Sequence, residues 1–173
     1  MSYPLNKLRC IEKSEIPPGF AIVAPVSGDV HPLQVIEQPL ISSGILGEGV
    51  AIEMAGNKIV APFDALVTEL PGSCHRIQLK ATNGIKVLMV ITGQTDQLMG
   101  LGFNRLVSEK QMVTKGQTLL TFNLQQLHKL NNPSYCAVFV ANAEQVGHLV
   151  YSAKKVTVAE DVLLTVMAKK KTP

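Results

Sequence analysis

Gly47-Glu48-Gly49-Val50-Ala51-Ile52-Glu53 and, after Met54-Ala55, Gly56-Asn57-Lys58-Ile59-Val60-Ala61-Pro62-Phe63-Asp64 read as a strand, a tight turn and a second strand ending at a corner. Gly47 and Gly49 suit a backbone that turns sharply, because a residue without Cβ reaches conformations closed to others. Val50 to Glu53 has strand character, Ala55-Gly56-Asn57 closes it, and Lys58 to Ala61 resumes it. Pro62 has no amide hydrogen and therefore belongs at a sheet edge or corner. Working outward, residues 21–24 form a strand that stops at Pro25, and Ser27-Gly28-Asp29 turns before Val30. Further apolar or alternating runs lie at 65–70, 75–80, 85–91, 118–122, 137–141, 155–158 and 162–167. Short β-branched runs between Gly, Asn and Asp turns predict an all-β sandwich or barrel. Ala24-Pro25 and Ala61-Pro62 open two segments alike, either as a repeated hairpin device or by coincidence.

Three short helices are expected on this β framework. One is a turn at 96–99. Another, at 124–130, follows Asn123 as N-cap and stops at Asn131-Asn132-Pro133; the third, at 143–152, follows Asn142, with Val146, Leu149 and Val150 at helical spacing.

Composition bounds the rest. With 173 residues, 46% hydrophobic and 17% charged, the chain fits one compact domain, and thirteen glycines and ten prolines suit strands and turns. Residues 1–19 read as a loosely held arm and 20–173 as the domain. A net charge of +3, 5% aromatics and the short Lys169-Lys170-Lys171 tail argue against a nucleic-acid partner. Three cysteines, Cys10, Cys74 and Cys136, cannot pair fully and lack metal-ligand spacing, which suits a reducing compartment. Residues 1–18 include Lys7, Arg9, Glu12, Lys13 and Glu15 and lack a signal-peptide core. No run approaches the roughly 20 apolar residues of a membrane span. A cytoplasmic protein is expected.

The block from Gly47 to Asp64 resembles the glucose-type enzyme IIA proteins (EIIA type 1), phosphocarriers of the bacterial sugar phosphotransferase system. It matches their paired-glycine turn, strand, hairpin and Ala-Pro-x-Asp corner. Ala24-Pro25-Val26-Ser27-Gly28-Asp29-Val30, Gly100-Leu101-Gly102-Phe103, Val113-Thr114-Lys115-Gly116-Gln117 and Val156-Thr157-Val158 continue it in order, so that the likeness runs from about Ile22 to Lys169. It implies an antiparallel β-sandwich of the glucose-permease IIA type, also describable as a barrel-sandwich, with short peripheral helices.

The likeness also implies a chemistry. In Gly84-Ile85-Lys86-Val87-Leu88-Met89-Val90-Ile91-Thr92 the family pattern places its phosphoacceptor histidine where this chain has Val90. Phosphoryl transfer in that family needs two imidazoles, one attacking phosphorus and the other stabilising the phosphoryl oxygens. His75 matches the supporting histidine, and Ser73 supplies the hydroxyl that threonine supplies in the family. Valine has no lone pair and cannot be a nucleophile. Thr92 and Gly93 replace a glycine and an aliphatic residue, Gln94 replaces an aspartate, Asp96 an aliphatic residue, Gln38 a rim carboxylate and Ala65 a glycine. Loss of rim carboxylates weakens charge complementarity to a basic partner.

His75 is either a retained phosphate contact or a leftover hydrogen-bonding side chain. Cys74 and His75 are neighbours on a strand and point to opposite faces, which is wrong for a dyad. His31, His128 and His148 are scattered and read as packing or surface residues. Ile41, Ile45, Leu46, Leu88 and Val90, with Gln94 and Asp96, match the face that binds partners in the family; the aliphatic members also suit simple packing. No metal site is expected, since one imidazole leaves too few ligands, and no cofactor is expected. Three functional expectations follow: a regulatory or partner-binding module that carries no phosphate, its partners phosphotransferase components or regulated metabolic enzymes and transporters; a phosphocarrier using His75; or a paralogue with a new ligand.

Overall fold

Period-two alternation and frequent turn residues produce strands of two to seven residues throughout the computed structural model, which describes residues 7–152 and 154–169. In chain order they are β1 (Leu8–Cys10), β2 (Phe20–Val23), β3 (Gly28–Pro32), β4 (Glu48–Met54), β5 (Lys58–Val60), β6 (Ala65–Glu69), β7 (Arg76–Ala81) and β8 (Lys86–Ile91). There follow β9 (Phe103–Arg105), β10 (Met112–Val113), β11 (Thr118–Phe122), β12 (Tyr135–Val140), β13 (Val146–Tyr151), β14 (Lys155–Val156) and β15 (Val162–Ala168). Among the described residues they assemble into an eight-stranded sheet ordered β10-β6-β7-β8-β12-β4-β3-β14, a four-stranded sheet β1-β13-β15-β2 and a three-stranded sheet β5-β11-β9. This is the expected antiparallel all-β architecture. Lys170 and Lys171 of the basic tail lie outside the described residues.

The Gly47–Asp64 stretch folds as its residues dictate. A Cβ on Gly49 would lie 1.9 Å from the Val138 carbonyl oxygen, so only glycine lets β4 approach β12 there. The two Ala-Pro openings are a repeated device. The Val60 N–H donates to the Pro25 carbonyl (2.9 Å) and the Val23 N–H to the Pro62 carbonyl (3.3 Å), a reciprocal exchange between the two corners. Ala24 then exchanges bonds with Ala159 and Asp161 as Ala61 does with Gly116 and Gln117, and both alanines are fully buried.

Four expectations need correction. Residues 143–152 do not form a helix: Ala143–Gln145 is a single 3-10 turn and Val146–Tyr151 is β13. Asn142 makes no cap. Its side chain instead accepts from the Lys86 N–H (3.0 Å) and donates to the Gly84 carbonyl (3.0 Å), while β1 and β15 provide strand partners on both sides of β13. The bend before β3 falls at Pro25 and Val26, and Gly28 already pairs with Met54. The arm is partly held, because Leu8–Cys10 pairs in parallel with Leu149–Tyr151. The Lys7 N–H donates to both Glu48 carboxylate oxygens (2.8 and 3.0 Å), and its ammonium donates to the Ala143 and Val146 carbonyls (3.0 and 2.6 Å). Finally, β9 and β10 lie where no strand was expected.

The two other helical expectations hold. A 3-10 turn covers Thr95–Leu98, and a helix spans Leu124–Leu130, whose Asn123 side chain accepts from the Gln125 and Gln126 amides. A further four-residue helix, Pro39–Ser42, precedes it in the chain and is labelled α1.

The eight-stranded sheet buries both faces, and β8 shows how. Val87, Met89 and Ile91 enter the main core with Ile52, Leu79 and Leu164, whereas Leu88 and Val90 face outward, half-buried. On that outer face a smaller cluster of Leu33, Ile36, Ile41, Ala51, Ala137 and Phe139 packs against Leu88 and Val90. Strand register sets one row across it: His31, Ala51, Ala137, Val90 and Arg76.

Candidate functional site on the outer face

The turn before β7 aims the candidate residues. The Cys74 N–H donates to the Pro71 carbonyl (2.9 Å), and Cys74 itself adopts a left-handed backbone (φ 57°). That twist buries the Cys74 side chain, which donates to the Gly72 carbonyl, and leaves His75 half-buried. Cys74 and His75 thus lie in the turn ahead of β7 and not, as expected, as neighbours on a strand, and of the two only His75 lines the site. The His75 carbonyl accepts from the Ile91 N–H (2.8 Å), locking the residue beside β8, one position from the Arg76–Val90 pair. Ser73 Oγ and His75 Nδ1 are 2.5 Å apart.

A cavity of about 250 Å³ collects most of the expected residues. His75 and Val90 line it together with Leu88, Ile41, Leu46 and Gln94, and Asp96 completes its edge. Ile45 does not take part; it is 57% exposed beyond the cavity. Ser73 touches the site only through His75. Sequence reasoning missed Arg76, Leu40 and Thr95, which also line it. Arg76 sits immediately after His75, so its position was available as a signal. Its guanidinium pairs with Glu69 at 2.7 Å. Thr95 is legible only in three dimensions: its hydroxyl donates to the Ile91 carbonyl (2.5 Å) and ties the 3-10 turn carrying Asp96 to the end of β8.

The electrostatics favour a neutral imidazole. Partial burial pushes the His75 pKa below the usual histidine value and Arg76 adds to this, against opposing pulls from Asp96 and Glu69. With Nδ1 engaged by Ser73, Nε2 is the nitrogen left for a ligand. If the hydroxyl donates to Nδ1, Nε2 carries the proton and can donate to an anion; in the other tautomer Nε2 presents a lone pair. Burial raises the Cys74 thiol pKa, offset in part by Arg105, so this cysteine is no nucleophile. Among the described residues no three His, Cys, Asp or Glu side chains converge to hold a metal ion.

The family model for the phosphoenolpyruvate-dependent sugar phosphotransferase system, EIIA 1, matches residues 20–146. The chain belongs to this family. Among curated EIIA 1 relatives, the glucose-specific EIIBCA component of Corynebacterium glutamicum is 38% identical over 75% of the chain. The chain spans only 19% of that relative, and likewise 19% of the mannose-specific EIIBCA component of the same species. The glucose-specific EIIA component of Haemophilus influenzae is 28% identical over 83% of this chain and 86% of its own length. Glucose permease IIA from Mycoplasma capricolum superposes with a TM-score of 0.76 at 22% identity, covering 86% of this chain and 96% of that one, and shares the fold. No described helix of this EIIA 1 chain is long and apolar enough to cross a membrane, a statement that leaves β-barrels aside.

Proposed function

We propose that this EIIA 1 chain carries no phosphate at the β8 position and acts in the cytoplasm as a partner-binding, regulatory module. One observation carries the reading: the β8 residue that shares the cavity with His75, at the register position between Ala137 and Arg76, is Val90, an isopropyl group packed against an apolar cluster. No protonation change gives that group a lone pair. Around it Ile41, Leu46 and Leu88 offer apolar contact, and Leu40 and Ile45, 65% and 57% exposed, extend the patch toward a partner. Residues 20–173 form the domain in this reading, with 1–19 as an arm docked through β1. Since the Corynebacterium relatives join EIIA to B and C components by name, an EIIB domain is the first partner to test.

The test is phosphorylation. The protein is incubated with phosphoenolpyruvate, enzyme I and the histidine phosphocarrier, and its intact mass is measured. No acid-labile phosphate is expected, and a stoichiometric adduct on His75 would overturn the proposal. That second reading has support of its own, because the depressed His75 pKa and the engaged Nδ1 leave a neutral ring with Nε2 uncommitted. His75→Ala separates the two: it abolishes any adduct only if His75 is the acceptor. Val90→His, tested alongside, asks whether Thr92, Gln94 and Gln38 still support transfer once a nucleophile is returned.

A further inference from the structure

A second cleft, of about 480 Å³, adjoins the cavity at Val90, and Gln38 and Gln94 line both. Its size falls within the roughly 300–1,000 Å³ of small-molecule sites. The end of β8 meets the loop entering β12 here. The Thr92 N–H and hydroxyl both donate to the Tyr135 carbonyl (2.9 and 3.0 Å), fixing one wall. Gly93 follows with φ 87°, and a Cβ on it would stand 2.7 Å from the Asn131 Cβ and 2.9 Å from its amide nitrogen. Glycine at 93 is therefore what lets the Asn131 amide lie against the end of β8.

The polar lining is uncommitted. Among the described residues, the side-chain amides of Gln38, Gln94, Asn131 and Asn132, all exposed, and the Tyr135 hydroxyl make no hydrogen bond to another protein group, and these five residues line this one cleft. Each amide presents a donor and an acceptor side by side, the pattern that vicinal hydroxyls match because every hydroxyl both donates and accepts. Leu130, Pro133 and the Tyr135 ring supply apolar surface for C–H groups. Charge narrows the ligand further. Glu37 is the one charged side chain in the lining, so nothing there neutralises an anion. Four of the positions at which the chain departs from the glucose-type pattern, Gln38, Thr92, Gly93 and Gln94, fall on this wall.

We propose that this cleft binds a small neutral polyhydroxylated ligand of monosaccharide size. The site goes beyond the function proposed above and stands whether or not His75 accepts phosphate.

The experiment titrates the isotope-labelled full chain with methyl α-D-glucopyranoside, D-mannose, myo-inositol and glucose 6-phosphate, following amide resonances by NMR. At least one neutral probe is expected to give saturable shifts in the side-chain amides of Gln38, Gln94, Asn131 and Asn132 and in the Gly93 N–H. Glucose 6-phosphate should bind at least about tenfold more weakly than that probe. Tyr135→Phe and Asn132→Leu, each removing polar atoms from a residue that lines the cleft, should each weaken binding about tenfold while the remaining spectrum is unchanged. The proposal fails if no neutral probe saturates by about 50 mM. It also fails if the phosphorylated sugar binds more tightly, or if both variants bind as the parent does.

Discussion

The patch around Val90 depends on one side chain, and Ile41→Ala tests that dependence. The helix α1 has four residues, far fewer than the roughly 12–15 an isolated helix needs in water, so tertiary contact must hold it. Ile41 is its only buried residue, 4% exposed, packed with Leu33, Ile36 and Phe139 against the outer face of the sheet. Alanine removes three carbons, which at about 0.8 kcal/mol each amounts to about 2.4 kcal/mol of lost burial. Incomplete collapse of the vacated space adds to this within the roughly 2–5 kcal/mol seen for such truncations. Because the loop lies at the surface and can settle inward, about 2–3 kcal/mol is expected.

The loss should show as local opening. The Ser42, Ser43 and Gly44 amides donate within the α1 turn, to the Gln38, Pro39 and Ile41 carbonyls. Native-state hydrogen exchange at these three should report an opening free energy lower by the same amount, and their rates should rise about 30- to 150-fold. Amides in β4 and β12 should change less. A decrease under about 1 kcal/mol at Ser42, Ser43 and Gly44 would show that α1 is held by something other than Ile41, and the account of the patch would fall with it.

Other consequences are simpler to check. Glu48→Gln replaces a nearly buried carboxylate that accepts twice from the Lys7 N–H; about 1–2 kcal/mol should be lost in urea denaturation, with faster exchange at the Leu149 amide, which donates to the Lys7 carbonyl (3.1 Å). Of the three thiols only exposed Cys10 should react promptly with Ellman's reagent in the folded protein. Cys74 is buried with a raised pKa and Cys136, fully buried, is pushed up to about 12, so rapid modification of two or more would contradict the packing. The His75 pKa is depressed on folding, so the unfolded chain binds this proton more readily. Stability should therefore hold above the unfolded value near 6.5 and fall as pH drops through that value toward the folded one. His75→Gln should flatten that part of the pH profile, and an unchanged slope would refute the assignment.

What the sequence made legible follows from where each signal is encoded. The β8 strand was readable because alternation is local, and the same alternation separates Met89 in the core from Val90 outside it. The Ala-Pro corners were readable as a pair, though only the reciprocal bonds between Val60 and Pro25 and between Val23 and Pro62 distinguish a device from coincidence. β1 was not legible, since its three residues pair in parallel with β13 far along the chain and carry no alternation of their own. β13 was misread for a related reason. Asn142 is a good cap in isolation, but its side chain is claimed by Gly84 and Lys86 from a hairpin that local sequence does not reveal. The amide-lined cleft combines residues 35–38, 92–94 and 130–135, three segments with no shared motif.

The placement of Val90 also separates what holds the fold from what lines the outer face. On β8 the residues that hold the fold and those that face the site alternate, so a change at 90 leaves Val87, Met89 and Ile91 undisturbed in the core. One side of the outward position is apolar, with Ala137 beside it, Ala51 one strand further and Ile41 over the same face, while Arg76 pairs with it on the other side. An imidazole there would have to keep at least one ring nitrogen solvated or bonded, whereas an isopropyl group needs no partner. Valine also has a β-branched side chain suited to a strand. Valine therefore satisfies both strand and cluster, while His75, at the turn entering β7, has Ser73 as its hydrogen-bond partner.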